Sequence, residues 1–180
     1  MLEPLIVSTQ VCDLISRMLS LRLYRQGTGL FGVDTPKQKV LVLGDVDSDL
    51  ILYLSKFAVD LTIVRTIPRP SPMGSLGVRE YVGIAQLGSM DSDQFSILLA
   101  ADPEALSLSE SIYHLWRLLL GHSKILAWVP SYATDPINDD TKNKLGCVRQ
   151  DSVNLMEYGH PGNKLHYLEA RKDLSIFSKQ

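Results

Sequence analysis

Lys39-Val40-Leu41-Val42-Leu43-Gly44-Asp45-Val46-Asp47-Ser48-Asp49-Leu50 is the stretch that decides the fold. Val40 to Leu43 is a short, unbroken apolar run closed by a glycine. Such a run suits a strand buried on both faces, and therefore a parallel sheet covered by helices. Asp47 to Asp49 then offer helix caps, and Leu50, Ile51, Leu54 and Phe57 supply an apolar stripe at helical spacing. Leu61-Thr62-Ile63-Val64 repeats the buried-strand pattern and closes a β-α-β unit.

Upstream, Ser8 or Thr9 would cap a first helix whose apolar face is Val11, Leu14, Ile15 and Met18. Gly27 to Lys39 then reads as turn and loop. Residues 1–36 form an N-terminal helix and lead-in, and 37–180 the main body of a single globular domain. Downstream, Ile67 to Arg79 carries three prolines and two glycines and reads as a loop. Tyr81 to Leu87 is the expected third strand, and Phe95 to Ala101 a fourth, stopped by Asp102-Pro103. Leu108, Ile112, Leu115, Trp116 and Leu119 mark a helix that Gly121 would end. Lys124 to Val129 is a fifth strand, and Ser131 to Lys144 a polar loop. Ser152–Tyr158 and Lys164–Ala170 read as two strands of a hairpin. The expected fold is α/β in three layers, Rossmann-like, mostly parallel with an antiparallel hairpin at the C-terminal end.

Composition narrows the function. The chain has 180 residues, 45% of them hydrophobic and 21% charged, enough apolar material for a full core. Eighteen basic against twenty acidic residues give a formal charge of −2, without the basic excess of a general nucleic-acid binder. Cys12 and Cys147 are too few for a disulfide framework or a zinc site, and are expected reduced. No apolar run approaches the roughly 20 residues that span a bilayer. The first 20 residues include Glu3 and Asp13, which suits neither a signal peptide nor a mitochondrial presequence. An intracellular, cytoplasmic protein without membrane contact is expected.

Three passages, in order, resemble the class I S-adenosylmethionine-dependent methyltransferases. Val40 to Leu50 is similar to that family's first strand and cofactor loop. His114 to Pro130 is similar to its helix, glycine turn and strand before the substrate-side loop. Leu165 to Lys172 is similar to its closing strand. The resemblance runs from Lys37 to Lys172. It implies a seven-stranded sheet with the last strand antiparallel, and an S-adenosylmethionine site at the carboxyl ends of the strands.

The resemblance fails where the cofactor would be held. The family expects an acid in the first strand and glycines at alternate loop positions, which let the backbone approach the ligand. Gly44 matches the first glycine, but Val46 and Ser48 replace the other two, and Val42 replaces the acid. A β-branched valine at positive φ would cost about 1–3 kcal/mol. The family also expects an acid after strand two for the ribose hydroxyls; Arg65 stands there, with five donors and no acceptor. After strand four, amine-methylating members carry Asp or Asn, then Pro-Pro and an aromatic residue. This chain has Asp102-Pro103-Glu104-Ala105, which also reads as a plain helix cap followed by proline.

Other families share parts of this pattern. Asp45-Val46-Asp47 matches the Asp-x-Asp of haloacid-dehalogenase-type phosphatases, in which Asp45 would be the nucleophile and Asp47 the acid/base beside magnesium. Asp139-Asp140 would then be the later metal-binding acids, although they lie in a polar loop. A receiver domain would use Asp45 for magnesium and Asp102 for phosphorylation, but its strand-five lysine is missing. Favourable placement of acids at a helix N-terminus explains Asp45, Asp47 and Asp49 without chemistry, at about 0.3–1 kcal/mol each. No Ser-His-Asp or Cys-His arrangement is legible from spacing.

The expected function is a methyltransferase-like domain with a degenerate cofactor site and no bound cofactor. It would act as a binding or scaffold subunit with a protein partner or as an oligomer. The alternative is an active S-adenosylmethionine-dependent enzyme using Gly44, Asp45 and Asp102 with an unconventional loop and Asp102 catalytic, Val46 and Arg65 standing at cofactor positions by place alone. A phosphatase using Asp45 and Asp47 ranks third.

Overall fold

A computed structural model of the chain describes residue 5, residues 7–68 and residues 77–179. The helix α1 spans Thr9–Met18 and is followed by β1 (Gln38–Leu43), α2 (Ser48–Leu54), β2 (Val59–Arg65) and β3 (Arg79–Val82). Then come β4 (Phe95–Ala100), α3 (Ser109–Leu118), β5 (Leu119–Val129), α4 (Asp139–Leu145), β6 (Cys147–Asn154) and β7 (Lys164–Arg171). The seven strands form one sheet in the order β3-β2-β1-β4-β5-β7-β6. All neighbours are parallel except β5–β7 and β6–β7. The expected three-layer α/β architecture is what the chain adopts.

The alternation of side chains explains the layers. In β1, Val40 and Val42 join one apolar cluster with α1 and α2, while Leu41 and Leu43 join a second with α3 and α4. In β4, Ile97 and Leu99 face the first cluster, and Leu98 and Ala100 the second. A strand that feeds two cores has no polar face to show, hence its unbroken apolar reading.

Four local expectations are corrected. The first strand of the C-terminal hairpin is Cys147–Asn154 rather than Ser152–Tyr158, because Met156–Tyr158 winds into a 3-10 turn that ends at Gly159 with φ +86°. The third strand is Arg79–Val82 rather than Tyr81–Leu87, because Gly83 takes φ +96° and Ile84–Ser89 winds into a 3-10 helix. Gly121 does not end α3. The helix stops at Leu118 and runs directly into β5, which contains Gly121. Its last carbonyls are taken instead by the amides of Asp93 and Gln94 and by Lys172 Nζ, which donates to Arg117 and Leu119. The polar stretch 131–144 is not all loop: Asn138 accepts from Thr141 N, and α4 follows until Gly146 at φ +72°. In the loop read over Ile67 to Arg79, residues 69–76 lie outside the described residues.

Ser8 is the cap of α1, accepting from Val11 N and donating to the Tyr158 carbonyl at 2.9 Å. The first helix is thereby tied to the β6–β7 connection at the carboxyl pole of the sheet. Cys12 is buried and Cys147 half-buried; both are free thiols, and burial pushes Cys12 up to about 11.

Candidate functional site at the carboxyl ends of the strands

Gly44, Asp45, Val46, Arg65 and Asp102 meet at the carboxyl ends of β1, β2 and β4, where folds of this kind bind ligands. Gly44 has φ +112°, and a Cβ there would lie 3.0 Å from Asp102 N and 3.1 Å from Asp102 Cβ. The glycine therefore serves to bring the β1 and β4 loops together.

Beyond Gly44 the loop takes a different course from the one expected. Among the described residues no non-glycine apart from Ser20 and Asp93 has positive φ, so Val46 carries no such strain. Val46 runs extended and forms a parallel bridge with Leu5. Leu5 N donates to Asp45 O at 2.7 Å, and Asp47 N donates to Leu5 O at 2.9 Å. Val46 is 3% exposed as a result. Gly44 N, Asp47 N and the carbonyls of Asp45 and Val46 are thus engaged within the chain.

Beside the bridge lies a cavity of about 30 Å³ whose lining among the described residues is apolar and includes Leu5, Val7, Val46, Leu99 and Trp128. It has room for little more than a water molecule and no acceptor side chain for a cationic, zwitterionic ligand.

Arg65 is buried at 6% exposure. Its Nη2 donates to Glu80 Oε1 of β3 at 3.1 Å, and its Nη1 to the Val46 carbonyl at 3.5 Å. Among the described residues Nε finds no hydrogen-bond partner. The position that would need a ribose acceptor thus holds a guanidinium that clamps β2 to β3 and to the loop. The Asp45 carboxylate accepts from Thr66 N at 3.3 Å and from the Thr66 hydroxyl. Asp47 is the N-cap residue of α2 without a side-chain capping bond, and Asp49 sits in its first turn.

Asp102 accepts from Glu104 N at 3.1 Å and, with Pro103, opens the 3-10 helix Pro103–Leu106. Burial, with the nearby Glu104 and Asp45 carboxylates, pushes its carboxyl above the usual range. Asp139 and Asp140 occupy the first turn of α4, and Asp140 pairs with Lys144 at 2.8 Å. They lie in a different element from Asp45 and Asp47. Among the described residues no three His, Cys, Asp or Glu side chains are grouped to hold a metal ion.

Leu5, Thr66 and Glu80 complete this site and escaped the sequence reading. Only the Arg65 mismatch hinted that a nearby acid must exist, and nothing local pointed to β3. The residues present do not fit S-adenosylmethionine in the manner of the family. The loop backbone is bridged, the ribose acceptor is absent, and the cavity is apolar.

Comparison with solved structures fixes the class of fold. A SAM-dependent O-methyltransferase from Thermotoga maritima superposes with a TM-score of 0.60 at 11% identity, over 94% of this chain and 68% of its own. A TehB-like SAM-dependent methyltransferase from Corynebacterium glutamicum gives 0.54 at 14% identity, covering 90% and 87%. The [4+2]-cyclase SpnF gives 0.54 at 12% identity, covering 90% and 80%. In other matches this chain spans about half or less of the solved protein, 49% of the CurJ carbon methyltransferase and 37% of a Haemonchus contortus phosphoethanolamine N-methyltransferase. No family model and no curated protein sequence matches the chain. The chain has the class I methyltransferase fold, and identities this low speak for the fold alone.

Proposed function

We propose that this chain is a methyltransferase-fold domain that no longer takes S-adenosylmethionine and serves as a binding or scaffold subunit. The observation that carries the reading is Val46, buried and bridged to Leu5 at the loop position where the family needs an open glycine. Arg65 supports it independently. A guanidinium offers the ribose hydroxyls no acceptor and would sit close to the sulfonium charge.

A protein partner is supported by the loop from Tyr24 to Thr35. It is closed on itself: Asp34 accepts from Gly27 N at 2.7 Å and from the Tyr24 hydroxyl at 2.9 Å, and Thr35 N donates to Arg25 O at 3.0 Å. Its tip presents Leu30, Phe31 and Val33 at 92%, 90% and 83% exposure. A self-closed loop holding three exposed apolar side chains within four residues supports a docking role for this surface.

Calorimetric titration with S-adenosylmethionine and S-adenosylhomocysteine, with and without magnesium, tests the reading. No heat up to millimolar ligand is expected. Micromolar binding would overturn it and favour an enzyme with Asp102 at its centre. A phosphatase has less support, because the Asp45 carboxylate is bonded to Thr66.

A further inference from the structure

At the far edge of the sheet, three side chains from separate segments line up. Ser152 of β6 stands directly opposite His166 of β7. Ser152 Oγ lies 2.6 Å from His166 Nδ1, and His166 Nε2 lies 2.8 Å from Asp135 Oδ2. Asp135 is fixed in turn, its Oδ1 accepting from Ile137 N at 2.9 Å. His166 is 4% exposed, whereas Ser152 lies in the open.

The chemistry of the three groups orders the protons. An ionised carboxylate only accepts, so Nε2 carries the imidazole proton and donates to Asp135. Nδ1 is then the acceptor, and the Ser152 hydroxyl donates to it. A buried base oriented by an acid and bonded to an exposed hydroxyl is the general arrangement of an activated nucleophile. β6 is also the last strand of the sheet, so Ser152 is open to solvent at its edge.

We propose that Ser152 is a base-activated nucleophile that accepts the acyl group of small activated esters, with His166 as its general base and Asp135 as a positioning residue. Ser152 Oγ attacks the carbonyl carbon while its proton passes to His166 Nδ1. The carbon–oxygen bond to the leaving group then breaks, and the imidazolium returns the proton to the departing oxygen. Water releases the acyl group by the same route, giving its proton to Nδ1 as it attacks, and Ser152 recovers a proton as the carboxylic acid leaves. Asp135 holds the imidazole in the required tautomer and faces the charge that forms. This site lies outside the crevice between β1, β2 and β4, so the outcome does not depend on S-adenosylmethionine binding.

The test uses the full chain with a fluorophosphonate probe, the labelled residue being mapped by mass spectrometry. Release of nitrophenol from p-nitrophenyl acetate is followed in parallel. Labelling at Ser152 is expected, and S152A abolishes it. D135N keeps the shape and the bond from Ile137 N, but its amide can donate to Nε2 and force the wrong tautomer. Labelling then slows by about a hundredfold or more, with an unchanged unfolding midpoint, and D135E restores part of the rate. H166Q should also lose the label, but because the imidazole is buried the decision rests on the exposed Asp135. No label at Ser152, or a labelling rate that D135N leaves unaltered, would overturn the proposal and make the three groups a structural network.

Discussion

Val46 and Arg65 show how far single residues can be read. That neither suits a glycine-rich, acid-terminated cofactor site follows from their side chains alone. How the chain accommodates them does not. Val46 escapes a strained φ because Leu5, 41 positions earlier, pairs with it, and no local pattern announces so distant a partner. Arg65 tolerates burial because Glu80 reaches it from the neighbouring strand.

Asp102 supplies a prediction at the same scale. Its carboxyl is raised above the usual range, chiefly by burial. A raised acid binds its proton more tightly folded than unfolded, so its contribution to stability is greatest below the ordinary carboxylate pKa and is lost as pH rises through the folded value. Asp102→Asn keeps a competent cap and removes this titration. The variant should be more stable than the parent at pH 7, and the difference should vanish toward pH 3. Denaturant unfolding across that range checks it.

Among the elements, the buried parallel strands and α2 are legible, whereas the edge strands β3 and β6 and the helix α4 are not. β1, β2, β4 and the core of β5 announce themselves because both faces are buried, so their runs are almost wholly apolar, with Thr62 and Ser96 the polar residues inside them. α4 was hidden because seven residues bury only Thr141 and Leu145, too few to set a helical period. The end of α3 was misplaced because Lys172 and the amides of Asp93 and Gln94 do the work expected of Gly121. Gly146 is one position where a side chain has no room. It has φ +72°, and a Cβ would fall 2.0 Å from the Arg171 carbonyl oxygen. Gly146→Ala should therefore cost about 2–3 kcal/mol, more than left-handed backbone strain alone, read as a lower denaturation midpoint with an unchanged slope.

At the scale of the molecule, two apolar clusters sandwich one sheet, and Leu5 bridges to Val46 at its carboxyl pole. The fold class and the resemblance were legible from strand order. The Leu5–Val46 bridge was not, because it joins residues distant in sequence, and the same holds for Ser152, His166 and Asp135. The Leu30–Phe31 tip yields a separate expectation. Replacing both with aspartate should leave stability within about 0.5 kcal/mol, since the side chains are almost fully exposed. Association with a partner that docks there should be lost, as sedimentation of the mixed proteins would show. A large fall in stability would mean that the tip packs on its own chain instead.

The central claim is that the crevice is closed to the family's cofactor. Backbone amide spectra of the labelled protein, recorded with and without saturating S-adenosylmethionine, address it at the residues concerned. The account predicts unmoved resonances for Asp45, Val46, Thr66 and Asp102. Saturable shifts confined to these amides would contradict it and return the crevice to service as a cofactor site.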